Sequence, residues 1–288
     1  MSRLTSFAII GSGYIGSFII SGFLAQASPP STLIVLSRNP ESKNFPPEVK
    51  VVKVDDYDNV DAVARILSAY KIDAVVSTVG YGAISLQRQM ANAAKKAEVR
   101  LFVPSEFGSP TDGAPSIYPP FQERDEIAEY IKSIGLPCAR FYTGGFIRTA
   151  LFSVTGVLVN GKINIIGKGQ SPVSYTLEED IGGFVAYVLT SLSISSLSNK
   201  IFRLEGDRAS LQDIANWYGK EVAYVEAIPG AHSEILAMLS RVFESGAGST
   251  GWSFKLGREG EGADAAGSAN RLWEGHQWKR IRDVITKL

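Results

Sequence analysis

Short, uninterrupted apolar runs alternate along the first half of this chain with segments whose apolar residues recur every third or fourth place. The runs are Phe7–Ile10, Thr32–Leu36, Val49–Val54, Asp73–Val79 and Arg100–Val103. Apolar stretches of that length, bounded by turn residues, predict buried strands, and the spacing between them predicts amphipathic helices. The predicted helices are Ser17–Ala25, which ends before Pro29-Pro30, the segment carrying Tyr57, Val60, Val63, Ala64 and Leu67, and Ser85–Ala97. Strand and helix in this rhythm imply right-handed βαβ units and a parallel sheet covered on both faces. Ligands of such sheets sit at the carboxyl ends of the strands.

The first strand end is the most informative. Phe7–Ile10 runs into Gly11-Ser12-Gly13-Tyr14-Ile15-Gly16, a Gly-x-Gly-x-x-Gly turn that opens a helix. Its first glycine allows a tight turn, its second lets backbone N–H groups approach a pyrophosphate, and its third lets helix and strand pack closely. The helix N-terminus favours an anion through its unpaired amides and dipole. The second strand ends at Ser37-Arg38, with Lys43 close by and no acidic residue where one would meet a ribose 2′-hydroxyl. A cation there accommodates a 2′-phosphate, so the pattern points to NADPH/NADP+. The fourth run closes on Thr78-Val79-Gly80, and the fifth on Pro104-Ser105-Glu106-Phe107-Gly108; both are loops placed to approach the same nucleotide.

Composition narrows the partners. Acidic and basic residues number 29 each over 288 residues, so no overall field recruits nucleic acid or an anionic membrane. No apolar run approaches the ~18 residues of a membrane span, and no basic-plus-apolar leader is read before the Gly11 turn. The single cysteine, Cys138, forms no intrachain disulfide framework and fits a reducing compartment, with the cytoplasm as the expectation. Two histidines, His232 and His276, support neither a Ser-His-acid hydrolase nor a multi-histidine metal centre, and no metal is expected. A small-molecule ligand is the expected partner, and homodimer formation stays open.

The second half is less regular. Asn160-Gly161 reads as a β-hairpin turn. Thr176 with Glu179 reads as a capping box for a helix running towards Leu189, and Ser210 with Asp213 as a weaker version of the same signal. Gly246–Ala269, rich in small residues, reads as a mobile loop or a lid. Helical spacing returns through Trp278, Ile281 and Ile285, predicting a tail that docks.

Several of these landmarks together resemble the isoflavone reductase and phenylcoumaran benzylic ether reductase group of atypical short-chain dehydrogenases, which is related to fungal NmrA-like proteins. The resemblance rests on the glycine turn, on Arg38, and above all on Val103-Pro104-Ser105-Glu106-Phe107-Gly108. It continues through Phe121, Gly135-Leu136-Pro137, Phe146, Glu179-Asp180-Ile181-Gly182 and the tail from Asn270 to Trp278. It implies an α/β fold in which a Rossmann-type doubly wound parallel sheet binds NADP over 1–150. A smaller C-terminal α/β domain over 151–288 binds substrate and closes the cleft, and some of its segments return to the sheet. It also implies a lysine beside the nicotinamide; aligned on Phe121 and Gly135-Leu136-Pro137, that position is Arg124, a departure from the group.

Arginine stays protonated, so it orients or stabilises an oxygen but does not shuttle a proton. Arg124 shares a helical stripe with Ile127, Ala128 and Ile131, which predicts an inward-facing guanidinium that needs a partner. Either a substrate or cofactor oxygen, or a carboxylate such as Glu106 or Glu123, would serve. No tyrosine is followed by lysine at the Tyr-x-x-x-Lys spacing, so Tyr142 is the alternative catalytic side chain, against a reading as a tyrosine satisfied by backbone. Phe146 and His232 are the candidate substrate contacts. The expected function is NADPH-dependent reduction of a small aromatic or polyketide-like metabolite. The competing expectation is a non-catalytic NADP(H)-binding redox sensor acting through a protein partner.

Overall fold

In the computed structural model, which describes residues 3–42 and 45–287, all five apolar runs are strands. They are β1 (Ser6–Ile10), β2 (Thr32–Ser37), β3 (Lys50–Lys53), β4 (Ala74–Ser77) and β5 (Leu101–Val103), with helices α1 (Tyr14–Leu24), α2 (Val60–Ala69) and α3 (Gln87–Lys96) between them. The sheet order is β3-β2-β1-β4-β5, parallel throughout. The chain winds outward from β1 to β3, then crosses back to β4, so the order reverses between β1 and β4. That switch point of a doubly wound sheet leaves a crevice at the strand ends.

Burial follows position. Every residue of β1, β4 and β5 is buried, which is why these strands read as continuous apolar runs rather than alternating ones. Edge strand β3 has exposed lysines at both ends, a charge placement that discourages further strand pairing. Ile10, Leu36, Val75 and Phe102 of the sheet pack with Val63, Leu67, Met90, Ile127 and Ile131 in one core.

The chain continues through α4 (Pro119–Ser133), β6 (Ala139–Tyr142), β7 (Gly145–Phe146), α5 (Ala150–Thr155), α6 (Val157–Asn160), β8 (Ile163–Ile165) and β9 (Val173–Thr176). Then come α7 (Glu178–Ser191), α8 (Ile194–Leu197), β10 (Lys200–Arg203), β11 (Asp207–Ala209), α9 (Leu211–Tyr218), β12 (Val222–Tyr224), α10 (Ser233–Glu244), β13 (Trp252–Ser253), β14 (Arg258–Glu259) and α11 (Ile281–Val284). Two compact units result, and they interleave in sequence. The first comprises Met1–Glu106, Pro119–Phe141 and Gly182–Phe202; the second comprises Phe107–Tyr118, Tyr142–Ile181 and Arg203–Leu288. Among the described residues no helix is long and apolar enough to cross a membrane.

Within the first unit, the segment Gly182–Phe202 lies against α1 with no side chain between. A Cβ on Gly182 would fall 2.1 Å from the Phe18 carbonyl oxygen, and one on Gly22 would fall 2.2 Å from the Gly182 carbonyl oxygen. Phe141 stacks on Phe202 at 4.9 Å between centroids, and Phe184 meets both rings edge-on.

The second unit corrects several expectations. Asn160-Gly161 is no hairpin: α6 ends there, and Gly161 takes a left-handed conformation with φ +75° as a helix cap, a use of glycine that local sequence does not separate from a hairpin turn. The helix predicted from Thr176 is present as α7, but the buried Thr176 hydroxyl has no hydrogen-bond partner. The full capping box forms instead at Ser210, whose Oγ accepts the Asp213 amide at 3.0 Å while Asp213 accepts the Ser210 amide at 2.9 Å.

Gly246–Ala269 is not an unanchored loop. Ala247, Ser249 and Thr250 are buried, β13 pairs with β14, and Ser249 donates to Glu259. Small residues here permit close packing. The tail docks through buried Ile281 and Ile285, although only the single turn α11 is helical.

Two outcomes follow. Gly182→Ala should lower unfolding free energy by about 1–3 kcal/mol, read as a lower urea midpoint at unchanged slope, because the backbones of α1 and α7 must separate. Asp73 ties β1 to β4: its carboxylate accepts the Thr5 and Ser6 amides at 2.8 and 3.2 Å and Arg100 Nη1 at 3.1 Å. Partial burial pushes its pKa up, but the Thr5 amide and Arg100 outweigh it and hold the carboxyl below its ordinary range. Its stabilisation is therefore complete above about pH 3.9, the ordinary aspartate value, and fades as pH falls through the lower folded value. Asp73→Asn should remove that acid-side loss from a stability-against-pH curve and lower stability at neutral pH.

Candidate nucleotide site

At the carboxyl end of β1 and β4 in the first unit lies a cavity of about 280 Å³, lined by Gly11, Ser12, Gly13, Leu36–Asn39, Tyr57, Thr78, Val79, Gly80, Ala83, Leu86 and Met90. Each glycine of the turn has a distinct reason to be there. Gly11 has φ +94° and abuts the Thr78 carbonyl, so a side chain would be strained twice over. At Gly16 a Cβ would lie 2.3 Å from the Gly11 carbonyl oxygen and 2.6 Å from Thr78 Oγ1, which itself donates to the Gly11 carbonyl.

Gly13 is the opposite case: nothing lies within 4 Å of where its Cβ would be. That open space adjoins the start of α1, which has no side-chain cap and no acidic residue in its first turn. A helix start with no side-chain cap beside an open volume suits a diphosphate. Of the remaining motif residues, Ile15 and Gly16 are buried in the helix interface, while Tyr14 is exposed and meets Phe18 edge-on.

Arg38 stands at the rim, just past β2. It is exposed and forms no ion pair among the described residues. Its guanidinium lies 5.9 Å from the ring centre of Tyr57, whose hydroxyl donates to the Leu36 carbonyl at 2.8 Å. Burial pushes the Tyr57 phenol up to about 12, against the opposing charge of Arg38, so it stays protonated and serves as wall and hydrogen-bond donor. Tyr57 was read from sequence as core alone; its position directly after the third strand was the available signal. Lys43 lies outside the described residues.

The β4 and β5 loops are clamped together. Ser105 donates its hydroxyl to the Val79 carbonyl at 2.8 Å and its amide to Gln87 Oε1 at 2.7 Å. Gln87 is fully buried on the inward stripe of α3 with Met90, Ala91 and Ala94. A glutamine on an apolar stripe was a legible sign of this role, and sequence reasoning passed over it. Pro104 is buried beside Ser105.

Glu106 points its carboxylate elsewhere. It accepts Arg140 Nε at 2.7 Å, with both side chains almost wholly buried, and Asp125 accepts Arg140 Nη1 at 3.0 Å. The carboxylate expected either to touch the nucleotide or to neutralise Arg124 is thus committed to another arginine.

Arg124 does face inward, with Phe121, Ile127, Ala128 and Ile131 of α4. It is 8% exposed. Its Nε donates to the Ser105 carbonyl at 3.1 Å and its Nη1 to the Pro120 carbonyl at 3.2 Å, and its guanidinium lies 4.5 Å from the ring centre of Tyr81. Among the described residues no carboxylate pairs with it.

The other candidates belong to the second unit. Tyr142 is fully buried, its hydroxyl oxygen accepting the Asp112 amide at 3.1 Å and its ring facing the Arg203 guanidinium at 5.3 Å. Phe107 is buried with φ +36°, and Phe146 is half-buried on β7, which pairs with β9. His232 is exposed with φ +60° at the start of α10 and makes no capping hydrogen bond. His276 stacks on Trp273 at 3.7 Å and contacts Asp180 at 3.0 Å. In the first unit, burial pushes the Cys138 thiol up to about 12, which keeps it protonated and unreactive.

The sequence pattern of the NmrA-like family matches residues 6–235, and the chain belongs to that family. The oxidoreductase aprR of Aspergillus flavus is 31% identical over 191 residues, a match spanning 64% of this chain and 63% of that relative's length. Phenylcoumaran benzylic ether reductase Pyrc5 of Pyrus communis is 29% identical over 230 residues, 74% of this chain and 72% of its own. The structure of leucoanthocyanidin reductase from Vitis vinifera with NADPH matches with TM-score 0.74 at 20% identity, covering 96% of this chain and 97% of that one. At that identity the likeness is one of fold, and it bears out the Rossmann-type α/β expectation.

The ion pair gives a direct test. Glu106→Gln leaves Arg140 with Asp125 as its recorded carboxylate partner and should destabilise the fold by about 3–5 kcal/mol. At a temperature where the variant is folded, calorimetric affinity for NADP+ should stay within about threefold of wild type, because the carboxylate is spent inside the protein.

Proposed function

We propose that this protein is an NADPH-dependent oxidoreductase that reduces a small aromatic or polyketide-like metabolite. The observation that carries this reading is the pairing of an open volume at Gly13, beside a start of α1 with no side-chain cap, with the exposed Arg38 past β2, which forms no ion pair among the described residues. The backbone from Gly11 to Gly13 and the first turn of α1 would hold a pyrophosphate, Arg38 a 2′-phosphate, and Thr78 to Gly80 the far wall of the site. When bound, reduced nicotinamide supplies a hydride.

The chain's own residues do the positioning. Ser105 and Gln87 fix the two loops against each other, and Arg124, anchored on the Ser105 carbonyl, offers its guanidinium to a substrate oxygen. A guanidinium there orients and holds that oxygen and is no proton relay. The relatives named above are reductases and an oxidoreductase, which supports catalysis over a purely regulatory role.

Two substitutions test the nucleotide assignment. Gly13→Ser puts a favoured N-cap residue at the head of α1, so thermal stability should hold or rise. The new side chain fills the open volume and satisfies an amide meant for phosphate, so NADP+ affinity should fall at least about tenfold; unchanged affinity would remove the site. Arg38→Asp should weaken NADPH about 10- to 100-fold, as expected for losing a charge-assisted phosphate contact, and NADH by less than about threefold. Equal losses for the two would withdraw the preference for the phosphorylated nucleotide.

A further inference from the structure

We infer that Arg124 is a carboxylate receptor, and that the substrate of this protein carries a carboxylate. The inference rests on the reductase reading above and adds to it the charge of the molecule reduced.

The first ground is electrostatic. A guanidinium 8% exposed has lost most of its hydration, and burying a cation is tolerated when an opposite charge or a full set of acceptors replaces the water. Arg124 has two carbonyl oxygens and the face of Tyr81. Carbonyl dipoles and a π-face offset part of the cost, and the positive charge stays without a counter-charge among the described residues. Of the carboxylates beside it in sequence or on the Ser105 loop, Glu106 and Asp125 both pair with Arg140, and Glu123 forms no ion pair with Arg124 among the described residues.

The second ground is geometric. A guanidinium has five N–H bonds. Two are used by the recorded hydrogen bonds, through Nε and Nη1, so three remain, including both on Nη2. The two anchored N–H groups and the ring of Tyr81 fix the plane of the group, so its remaining donors on Nη1 and Nη2 are oriented before a ligand arrives. A fixed, charged, planar donor set suits a carboxylate through charge-assisted hydrogen bonds.

The third ground separates substrate from nucleotide. Arg124 is not among the residues that line the cavity with Gly11, Gly13 and Arg38. It reaches that cavity's wall through Ser105, which binds Val79, and through Tyr81, next to Gly80. The nucleotide's phosphates already have α1 and Arg38, whereas the anion for Arg124 belongs beyond the β4 loop.

The test uses 4-hydroxycinnamate and its primary amide as probes, titrated calorimetrically into the protein saturated with NADP+. Uptake of NADP+ is measured first: its failure withdraws the reductase reading itself, independently of Arg124. Given uptake, wild type should bind the carboxylate at least about 30-fold more tightly than the amide, and the preference should shrink as salt is raised. Arg124→Met should abolish the preference while leaving NADP+ affinity within about threefold, and Arg124→Lys should keep a reduced one. Equal binding of acid and amide by wild type, a measurement that needs no variant, overturns the inference. So does an Arg124→Met protein that loses NADP+ affinity and keeps its preference for the acid, since the guanidinium then serves the nucleotide.

Discussion

The carbonyl of Gly11 and the hydroxyl of Thr78 stand where a side chain at position 16 would have to go, and the geometry of the nucleotide cavity descends from that contact. With no atom beyond Cα at Gly16, α1 packs directly against the turn after β1 and the residue after β4. Further along the same helix the device recurs, where Gly22 and Gly182 let α1 and α7 meet backbone to backbone. One helix is thus set at both ends by missing side chains. Its dipole is aimed by steric necessity rather than by any attractive contact, which makes the aim insensitive to what happens on the surface.

Arg124 and Arg140 show how one fold produces two kinds of buried cation. Arg124 and Asp125 are neighbours on α4, yet the turn of the helix sends the aspartate to Arg140 and the arginine to Ser105 and Tyr81. Arg140, held by Glu106 and Asp125, is neutralised and structural, and its pair staples the β5 loop to β6. Arg124 is braced by carbonyls and stays positive. The brace matters because a guanidinium whose donors are partly spent on backbone has its plane fixed before any ligand arrives, so little ordering remains for binding to do.

Much of this was legible in the sequence wherever one short stretch decides the outcome. The five strands follow from apolar run length, the glycine turn from spacing, and the inward face of α4 from its 3.6-residue period. Legibility ends where one local signal serves two structures. Asn160-Gly161 suits a hairpin or a helix end equally, and only the chain on either side chose. Thr176 and Ser210 both precede an acidic residue three places on, but Thr176 lies in a strand that keeps its hydroxyl from the following helix, while Ser210 is free to turn. Pairings across 34 residues, such as Arg140 with Glu106, have no local trace, and that pairing takes up one of the two carboxylates the sequence offered as partners for Arg124.

A reduction needs a hydride and, at some point, a proton, and the side chains described here are better at holding charge than at relaying protons. The phenol of Tyr57 is pushed up to about 12 by burial, that of Tyr142 is engaged by the Asp112 amide, and the Cys138 thiol is pushed up to about 12. Arg124 keeps its proton at any ordinary pH. A site built this way favours chemistry in which negative charge developing on an oxygen is stabilised in place and quenched afterwards by solvent. Under the reductase proposal, a guanidinium where the resemblance implies a lysine would move the protein's contribution from proton transfer towards holding charge in place.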